Sequence, residues 1–246
     1  MNPGFMQLLA GAWRRFRGAA DLVLRIAGPL LFLPAFAVQL LCDPLPSMPA
    51  KADDAAAAAW IDALGNWAQS NGIWYILADV SGMIGLAAVA VLLLDPRRPS
   101  VAQALGGAVR RAGRFILASL LVAIPVGAGL WLFILPGLYL QARLVMTIPA
   151  LAADPGRGAG QALVASWAGT RRLAWGLFGA VTMLFLLRWL LISPLFAADE
   201  WLRAPAHNNP FVVALVAALL AALTSAHKIA VLLLGVAAYR AASKGT

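Results

Sequence analysis

The chain has 246 residues, of which 62% are hydrophobic and 12% are charged, and its mean hydropathy is +0.83. This composition excludes an ordinary soluble domain and is typical of an integral membrane protein. The formal net charge is +9, but the basic residues cluster between apolar runs, which indicates membrane lipid rather than nucleic acid as their partner. The single cysteine, Cys42, excludes an intrachain disulfide. His207 and His227 are too scattered for metal-ligand spacing, so we expect neither a metal nor another cofactor.

Six apolar runs follow one another along the chain. Most are close to the roughly 20 residues that the hydrocarbon core of a bilayer requires. The run from Phe115 to Ala153 is too long for one span, and Pro136-Gly137 predicts a turn that divides it. The sequence therefore predicts an all-α, polytopic membrane protein with about six transmembrane helices. The predicted spans cover residues 22–42, 74–94, 115–135, 137–153, 174–196 and 211–238.

Three segments share one pattern, which is a helix of small residues led by glutamine, then a cluster of arginines, then an apolar hairpin. They begin at Gln7, Gln103 and Gln161. Their apolar positions fall on one helical face, which predicts an amphipathic helix on the membrane surface before each hairpin. Basic, alanine-rich membrane proteins also produce such segments by chance, and that alternative stays open. The repeats of this single membrane domain are predicted at residues 5–94, 99–153 and 158–240.

Most basic residues between the spans fall on one side of the membrane. They lie in the N-terminal segment, in the loops 95–114 and 154–173, and in the C-terminal tail with Arg240 and Lys244, whereas the other side holds only Lys51 and Arg203. By the positive-inside rule, both termini are expected in the cytoplasm. The arginines that we expect to bind anionic lipid headgroups are Arg14, Arg15, Arg17, Arg110, Arg111, Arg114, Arg171 and Arg172.

The outer loop over residues 43–73 has a sequence pattern of its own. A proline-rich start is followed by Asp53-Asp54 and then by an alanine-rich run that carries Trp60 and Trp67. An aspartate before apolar positions at helical spacing predicts a short amphipathic helix that rests on the outer surface. Such a helix is either a lid or docking element, or a cover that shields the bundle.

Several charged residues fall inside the predicted spans, where a charge costs about 2.5–3.5 kcal/mol on insertion scales. Asp79, Arg143 and Arg188 each lie about six to eight residues from the outer span end. We expect them to meet in the outer half of the bundle, where the excess positive charge is suited to an anion. The alternative is a structural ion pair plus an arginine that reaches the outer interface. Lys228, beside His227, is assigned to the cytoplasmic half, as a snorkelling side chain or part of a polar track.

The sequence contains no recognisable catalytic constellation. It has no glycine-rich phosphate loop, no acidic pair spaced for metal-dependent phosphoryl transfer, and no serine with an evident base. We therefore do not expect an enzyme.

One part of the chain resembles a known family. Pro136-Gly137-Leu138-Tyr139-Leu140-Gln141-Ala142-Arg143 is followed by Pro149-Ala150-Leu151 and by the pair Ser166-Trp167. This order resembles the glycerophosphoryl diester phosphodiesterase membrane domain and the YciC-like proteins of the bacterial inner membrane. The resemblance implies a six-helix inner-membrane bundle, without the catalytic domain that some members carry, so phosphodiesterase activity is not expected. The family-typical positions are Pro136, Gly137, Tyr139, Arg143, Ser166 and Trp167.

Two classes of function fit these features. The first is a non-enzymatic accessory protein that binds lipid, a partner membrane protein or a second copy of itself, in envelope homeostasis or complex assembly. The second is a small transporter or permease-like component for an anionic or amphiphilic substrate. A transporter predicts a continuous polar cavity that joins Arg143, Arg188 and Lys228, whereas an accessory bundle predicts close packing there and an apolar groove facing outward.

Overall fold

The computed structural model describes residues 4–49, 53–204 and 209–243, and these residues form helices and connecting turns without any strand. The all-α prediction is confirmed. Lys51, His207 and Lys244 lie outside the described residues. The elements are α1 Phe5–Ala27, a π-helical turn Gly28–Phe32, α2 Leu33–Leu41, α3 Asp54–Leu94, α4 Val101–Arg110, α5 Ala112–Leu132, α6 Ile134–Leu144, α7 Thr147–Ala153, α8 Ala159–Gly169, α9 Ala174–Arg203 and α10 Pro210–Ser243.

Six helical stretches of the described chain are long and apolar enough to cross a membrane, which confirms the multi-pass prediction. They correspond in order to the six predicted spans. Consecutive stretches pack on each other: α2 on α3, α5 on α6, and α9 on α10. The stretches are Phe5–Leu41, Asp54–Leu94, Ala112–Leu132, Ile134–Ala153, Ala174–Arg203 and Pro210–Ser243.

Helix α10 lies at the centre of the bundle, in contact with α1, α2, α3, α7 and α9. Every residue from Leu232 to Ala238 is buried. Gly235 allows the closest approach, because a Cβ atom there would collide with the carbonyl oxygen of Val145 and lie 3.2 Å from Pro149 Cγ. The small residues of α10 thus admit close neighbours.

The turn predicted at Pro136-Gly137 is wrong. The chain turns at Phe133, which is extended, and Pro136 lies in the first turn of α6, where a missing N–H breaks no helical bond. Gly137 instead lets α6 approach α5, because a Cβ atom there would lie 2.7 Å from the Cα atom of Leu130.

The outer loop differs from its prediction as well. Helix α3 is continuous over 41 residues from Asp54 to Leu94, which corresponds to about 60 Å, or twice the hydrocarbon thickness. No separate short helix rests on the surface. The run contains no proline, and Asp53 caps its start by accepting a hydrogen bond from the N–H of Ala56 at 2.7 Å.

The proline-rich segment before α3 runs back along the projecting half of that helix. The indole N–H of Trp60 donates to the carbonyl of Pro46 at 3.1 Å, and that of Trp67 donates to the carbonyl of Asp43 at 2.9 Å. The backbone N–H of Asp43 donates to Asn71 Oδ1. These bonds explain the two tryptophans of the loop as attachments between the extended segment and α3.

The three glutamine-led segments form helices with a common start and a common buried face. Gln103 accepts a hydrogen bond from the N–H of Ser100, and Gln161 accepts one from the N–H of Gly158, both at 2.9 Å. Gln7 occupies the equivalent third helical position of α1. In each copy the residues one and five positions after the glutamine are buried, namely Leu8 and Ala12, Ala104 and Ala108, and Ala162 and Ser166.

The first span contains a proline-induced gap in its hydrogen bonding. Pro34 has no N–H to donate to the carbonyl of Leu30. Ser81 of α3 supplies the missing donor, since its hydroxyl lies 3.0 Å from that carbonyl oxygen. A side chain of the second span thereby completes the backbone of the first.

We predict that Ser81→Ala lowers the unfolding free energy by about 1 kcal/mol, because the Leu30 carbonyl loses its donor. In a Pro34→Ala background the new N–H at position 34 serves that carbonyl, and the effect of Ser81→Ala should largely disappear. Unfolding of the purified protein in detergent measures this double-mutant cycle. Ser70→Ala is the control, since the exposed Ser70 hydroxyl bonds only within its own helix. Equal effects of Ser81→Ala in both backgrounds would contradict the assignment.

Candidate functional site

The predicted cluster of Asp79, Arg143 and Arg188 does not form. Asp79 pairs instead with Lys228, Arg143 is buried against α8, and Arg188 is exposed on α9. The prediction compared depths along each helix, whereas contact also requires side chains to face one another. The sequence does not give the rotation of each helix in the bundle.

The Asp79–Lys228 pair joins α3 to α10. Lys228 Nζ donates to Asp79 Oδ1 at 2.9 Å. The two residues lie at one level, because Asp79 precedes the end of α3 by 15 residues and Lys228 precedes the end of α10 by 15. Both helix ends lie together, since Arg240 donates to the carbonyl of Leu93. Asp79 and Lys228 therefore do not lie in opposite halves of the bundle, as the two predictions had placed them, because α10 extends further than the predicted span.

The ion pair opens into a cavity of about 150 Å³ between α2, α3 and α10, closed on one side by Phe196 of α9. The Asp79 side chain is 64% exposed and that of Lys228 is 38% exposed, which is unusual for an ion pair within spans. Gly82 borders the ammonium, since a Cβ atom there would lie in ordinary van der Waals contact with Nζ, at 3.9 Å. The other polar residues of the wall are Gln39, Tyr75, Thr224 and Ser225.

Sequence analysis identified both charges of this site but missed Gln39 and Tyr75. Neither residue has a local motif, and only the packing of α2 on α3 brings them to the cavity. His227 lies beside the Leu184 backbone and Arg188 of α9 and is not among the residues that line this cavity.

Arg143 is the centre of a buried polar junction between α6 and α8. Its guanidinium stacks over the Trp167 ring at 4.1 Å from the centroid and donates to the Trp167 carbonyl. A second N–H donates to the hydroxyl of Tyr139 at 3.3 Å. The backbone carbonyl of Arg143 accepts from Ser166 Oγ at 2.9 Å and from Thr170 Oγ1 at 3.1 Å.

This junction gives the motif residues a structural role. The helix breaks after Leu144, so hydroxyl groups of α8 and its end satisfy a carbonyl at the break. Thr170 was not among the family-typical positions, although its spacing of four from Ser166 places both hydroxyls on one helical face. Arg143 is therefore occupied internally and is not free to bind an anion.

Arg188 contrasts with Arg143. It lies near the middle of α9, is exposed, and has no hydrogen bond or ion pair with any part of the chain that the structure describes. Its surroundings on α9 are mainly apolar and form a shallow groove of about 300 Å³. The residues of that groove are Phe185, Trp189, Ile192, Ser193 and Phe196.

A large apolar groove of about 640 Å³ lies between α1 with its π-helical turn, α9 and α10, and it is open on the surface of the bundle. Trp13 and Phe16 line its basic end, and the guanidinium of Arg17 lies 6.0 Å from the Trp13 ring centroid. Its walls also include Leu9, Leu24, Phe32, Met183, Leu187, Ala222, Ser225, Ala226, Ile229 and Leu233.

The arginines of the surface segments divide into two groups. Arg15 donates to the carbonyl of Gly11, and Arg111 donates at the same offset to the carbonyl of Gly107 and also to Leu151. Burial, followed by the charges of Arg114 and Arg110, lowers the pKa of Arg111. The exposed group, which leaves charge available to lipid, comprises Arg14, Arg17, Arg110, Arg114, Arg171 and Arg172.

We predict that Arg143→Lys lowers the unfolding free energy by about 1–3 kcal/mol, because lysine cannot both stack flat on Trp167 and donate to its carbonyl and to Tyr139. In a double-mutant cycle, Arg143→Lys should cost less once Trp167→Ala has removed the ring. Arg188→Lys is the matched control and should change stability little. Strictly additive effects of Arg143→Lys and Trp167→Ala would contradict the junction.

Comparison with known proteins adds no further assignment to this site. Within residues 4–49, 53–204 and 209–243, no group of histidine, cysteine, aspartate or glutamate side chains is arranged to hold a metal ion. No protein-family model matches the chain, and no curated protein or solved structure matches it either. The resemblance carried by the Pro136-Gly137 and Ser166-Trp167 motifs therefore stays a prediction.

Proposed function

We propose that this chain is a non-enzymatic accessory protein of the bacterial inner membrane that holds a lipid in the groove between α1, α9 and α10. The observation that carries the proposal is the groove itself, which is large, apolar and open on the surface of the bundle. A cleft of several hundred Å³ with apolar walls suits a hydrocarbon chain. Envelope homeostasis, or the assembly of another membrane complex, is the role that such binding would serve.

The charge at one end of the groove favours an anionic headgroup. Trp13 is amphipathic and more than half exposed, and Arg17 stands beside it with Arg14 nearby in sequence. Each basic residue near an anionic membrane surface contributes about 1 kcal/mol to binding. The proposed ligand is thus an anionic phospholipid with an acyl chain in the groove and its phosphate at the arginines.

The proposal also includes the orientation of the chain in the membrane and its three repeated units. The segments 95–114 and 154–173 lie together, since Arg114 donates to the carbonyl of Pro155 at 2.8 Å. We place this basic end and both termini in the cytoplasm by the positive-inside rule. The shared glutamine position and buried face support three repeated units, and the motif resemblance supports a phosphodiesterase-type membrane domain without catalytic activity.

The transport alternative receives less support. It predicts one polar cavity that joins Arg143, Arg188 and Lys228. These residues instead lie in three environments: a buried junction, an exposed face of α9 and the Asp79 cavity. The Arg188 groove and the Asp79 cavity have only Phe196 in common among their lining residues.

The exposed face of α9 supports a protein partner in addition to lipid. A charge at mid-span costs about 2.5–3.5 kcal/mol unless it is paired, and Arg188 lies between exposed aromatic side chains, Trp189 and Phe196. A transmembrane helix that carries a carboxylate complements this face.

For the groove, we predict that Ala226→Trp displaces the lipid, because the indole fills space that a small exposed residue leaves open. Native mass spectrometry of the gently purified protein should find a bound anionic phospholipid that is reduced about tenfold or more in this variant. Ala128→Trp, on an exposed position of α5 away from the groove, is the matched control. Unchanged lipid in Ala226→Trp, or the same loss in both variants, would refute the proposal.

For the α9 face, we predict that a synthetic polyleucine helix with one central aspartate associates with the protein in vesicles, as measured by energy transfer, and that Arg188→Leu abolishes the signal. A helix without aspartate should not associate. Arg188→Leu combined with Leu120→Arg moves the charge to an exposed position of α5. If that double variant associates with the aspartate helix as strongly as the unmodified protein does, the α9 face contributes nothing to binding beyond its charge.

A further inference from the structure

We propose that the cavity at Asp79 and Lys228 binds a zwitterion that carries a primary ammonium and an anionic oxygen group. Two sources supply this chemistry: the headgroup of phosphatidylethanolamine, and a small solute such as phosphoethanolamine. The site shares the wall residue Ser225 with the apolar groove but does not depend on an anionic lipid there.

The unused bonding capacity of the ion pair is the first argument. An ionised carboxylate accepts about four hydrogen bonds, and an ammonium donates three. Within the described chain, the only hydrogen bond or ion pair of either side chain is the contact between Lys228 Nζ and Asp79 Oδ1. Two donors of Lys228 and one oxygen of Asp79 therefore have no partner within the described chain, beside the cavity that both residues line.

The balance of charge selects the kind of ligand. The pair is neutral as a whole, so an anion or a cation alone would interact favourably with only one of its two charges. A zwitterion matches both halves, because its ammonium donates to Asp79 and its anionic oxygens accept from Lys228. A trimethylammonium group has no N–H to donate, so phosphatidylcholine should bind less well.

The walls of the cavity provide further polar contacts at the same level. Ser225 lines the cavity, is buried, and its hydroxyl has no hydrogen-bond partner. Gln39, Tyr75 and Thr224 add neutral donors and acceptors. A volume of about 150 Å³ exceeds several-fold the roughly 10–15 Å³ that one water molecule needs by the same kind of measure. The site therefore has room for a small polar group.

The shape of the first span helps to open this space. One wall is formed by Leu31, which lies in the π-helical turn that carries Pro29, and by Ala35 and Val38, which follow that turn. The Ser81 bond to Leu30 holds this part of the first span against α3. The cavity therefore lies beside the π-helical distortion of the first span, which the hydrogen bond from Ser81 stabilises.

The test measures binding of short-chain phosphatidylethanolamine, phosphatidylcholine and phosphatidylglycerol by native mass spectrometry, at equal lipid concentration. It uses the full chain carrying Ala226→Trp, so that lipid in the groove is not counted. Phosphatidylethanolamine should bind about tenfold more strongly than the other two, and Asp79→Asn or Lys228→Gln should remove this preference. Equal binding of all three lipids would overturn the proposal. The absence of any bound lipid or solute would also overturn it, because the cavity would then hold only water.

A cavity-filling variant tests the site without altering its charges. Ala78→Leu narrows the cavity and leaves the ion pair intact, so binding should fall about tenfold. Ala123→Leu, on an exposed position of α5, should bind as before. If free phosphoethanolamine displaces the bound phosphatidylethanolamine, the result supports the soluble source. If phosphatidylethanolamine stays bound in its presence, the result supports the lipid headgroup. Unchanged binding in Ala78→Leu would refute the site even if Asp79→Asn fails to fold.

Discussion

Backbone carbonyls that lose their helical donors inside the spans must find other donors, because hydrocarbon supplies none. This chain meets that requirement with hydroxyl groups from neighbouring helices. Ser81 serves the carbonyl opposite Pro34, and Ser166 with Thr170 serves Arg143 at the break after α6. Each such bond fixes the rotation and depth of one helix against the next. The shape of the bundle, and hence of both cavities, depends on these few cross-helix contacts.

Charged side chains inside the spans also need partners, and they differ in how completely the protein provides them. This difference distinguishes structural from functional positions. Arg143 uses stacking and hydrogen bonds within the protein and has little left to offer a ligand. Asp79 and Lys228 satisfy each other with one bond and leave the rest of their capacity toward a cavity. A charge whose partners are complete stabilises the fold, whereas a charge with unused donors or acceptors marks a place where something else binds.

Hydropathy predicted the all-helical, multi-pass class because span length is a property of the bilayer and is visible in any apolar run. The intramembrane charges were also visible, since each interrupts such a run. The partners of these charges could not be predicted, because pairing depends on the rotation of each helix. That rotation is determined by non-local contacts such as the one between Gly235 and Val145. Two local signals were misinterpreted for the same reason. Gly137 serves helix packing rather than a turn, and the residues 53–72 continue α3 because nothing in the sequence interrupts the helix before Leu94.

The tryptophans at corresponding positions of the first and third segments have different surroundings. Trp13 and Trp167 both lie six residues after the leading glutamine, and each has a guanidinium near its ring. At Trp167 the guanidinium comes from another helix, Arg143, so the ring closes an internal junction. At Trp13 it comes from Arg17 of the same helix, which leaves the ring facing the apolar groove. The segment whose tryptophan has no cross-helix arginine is therefore the one whose ring lines an open apolar groove.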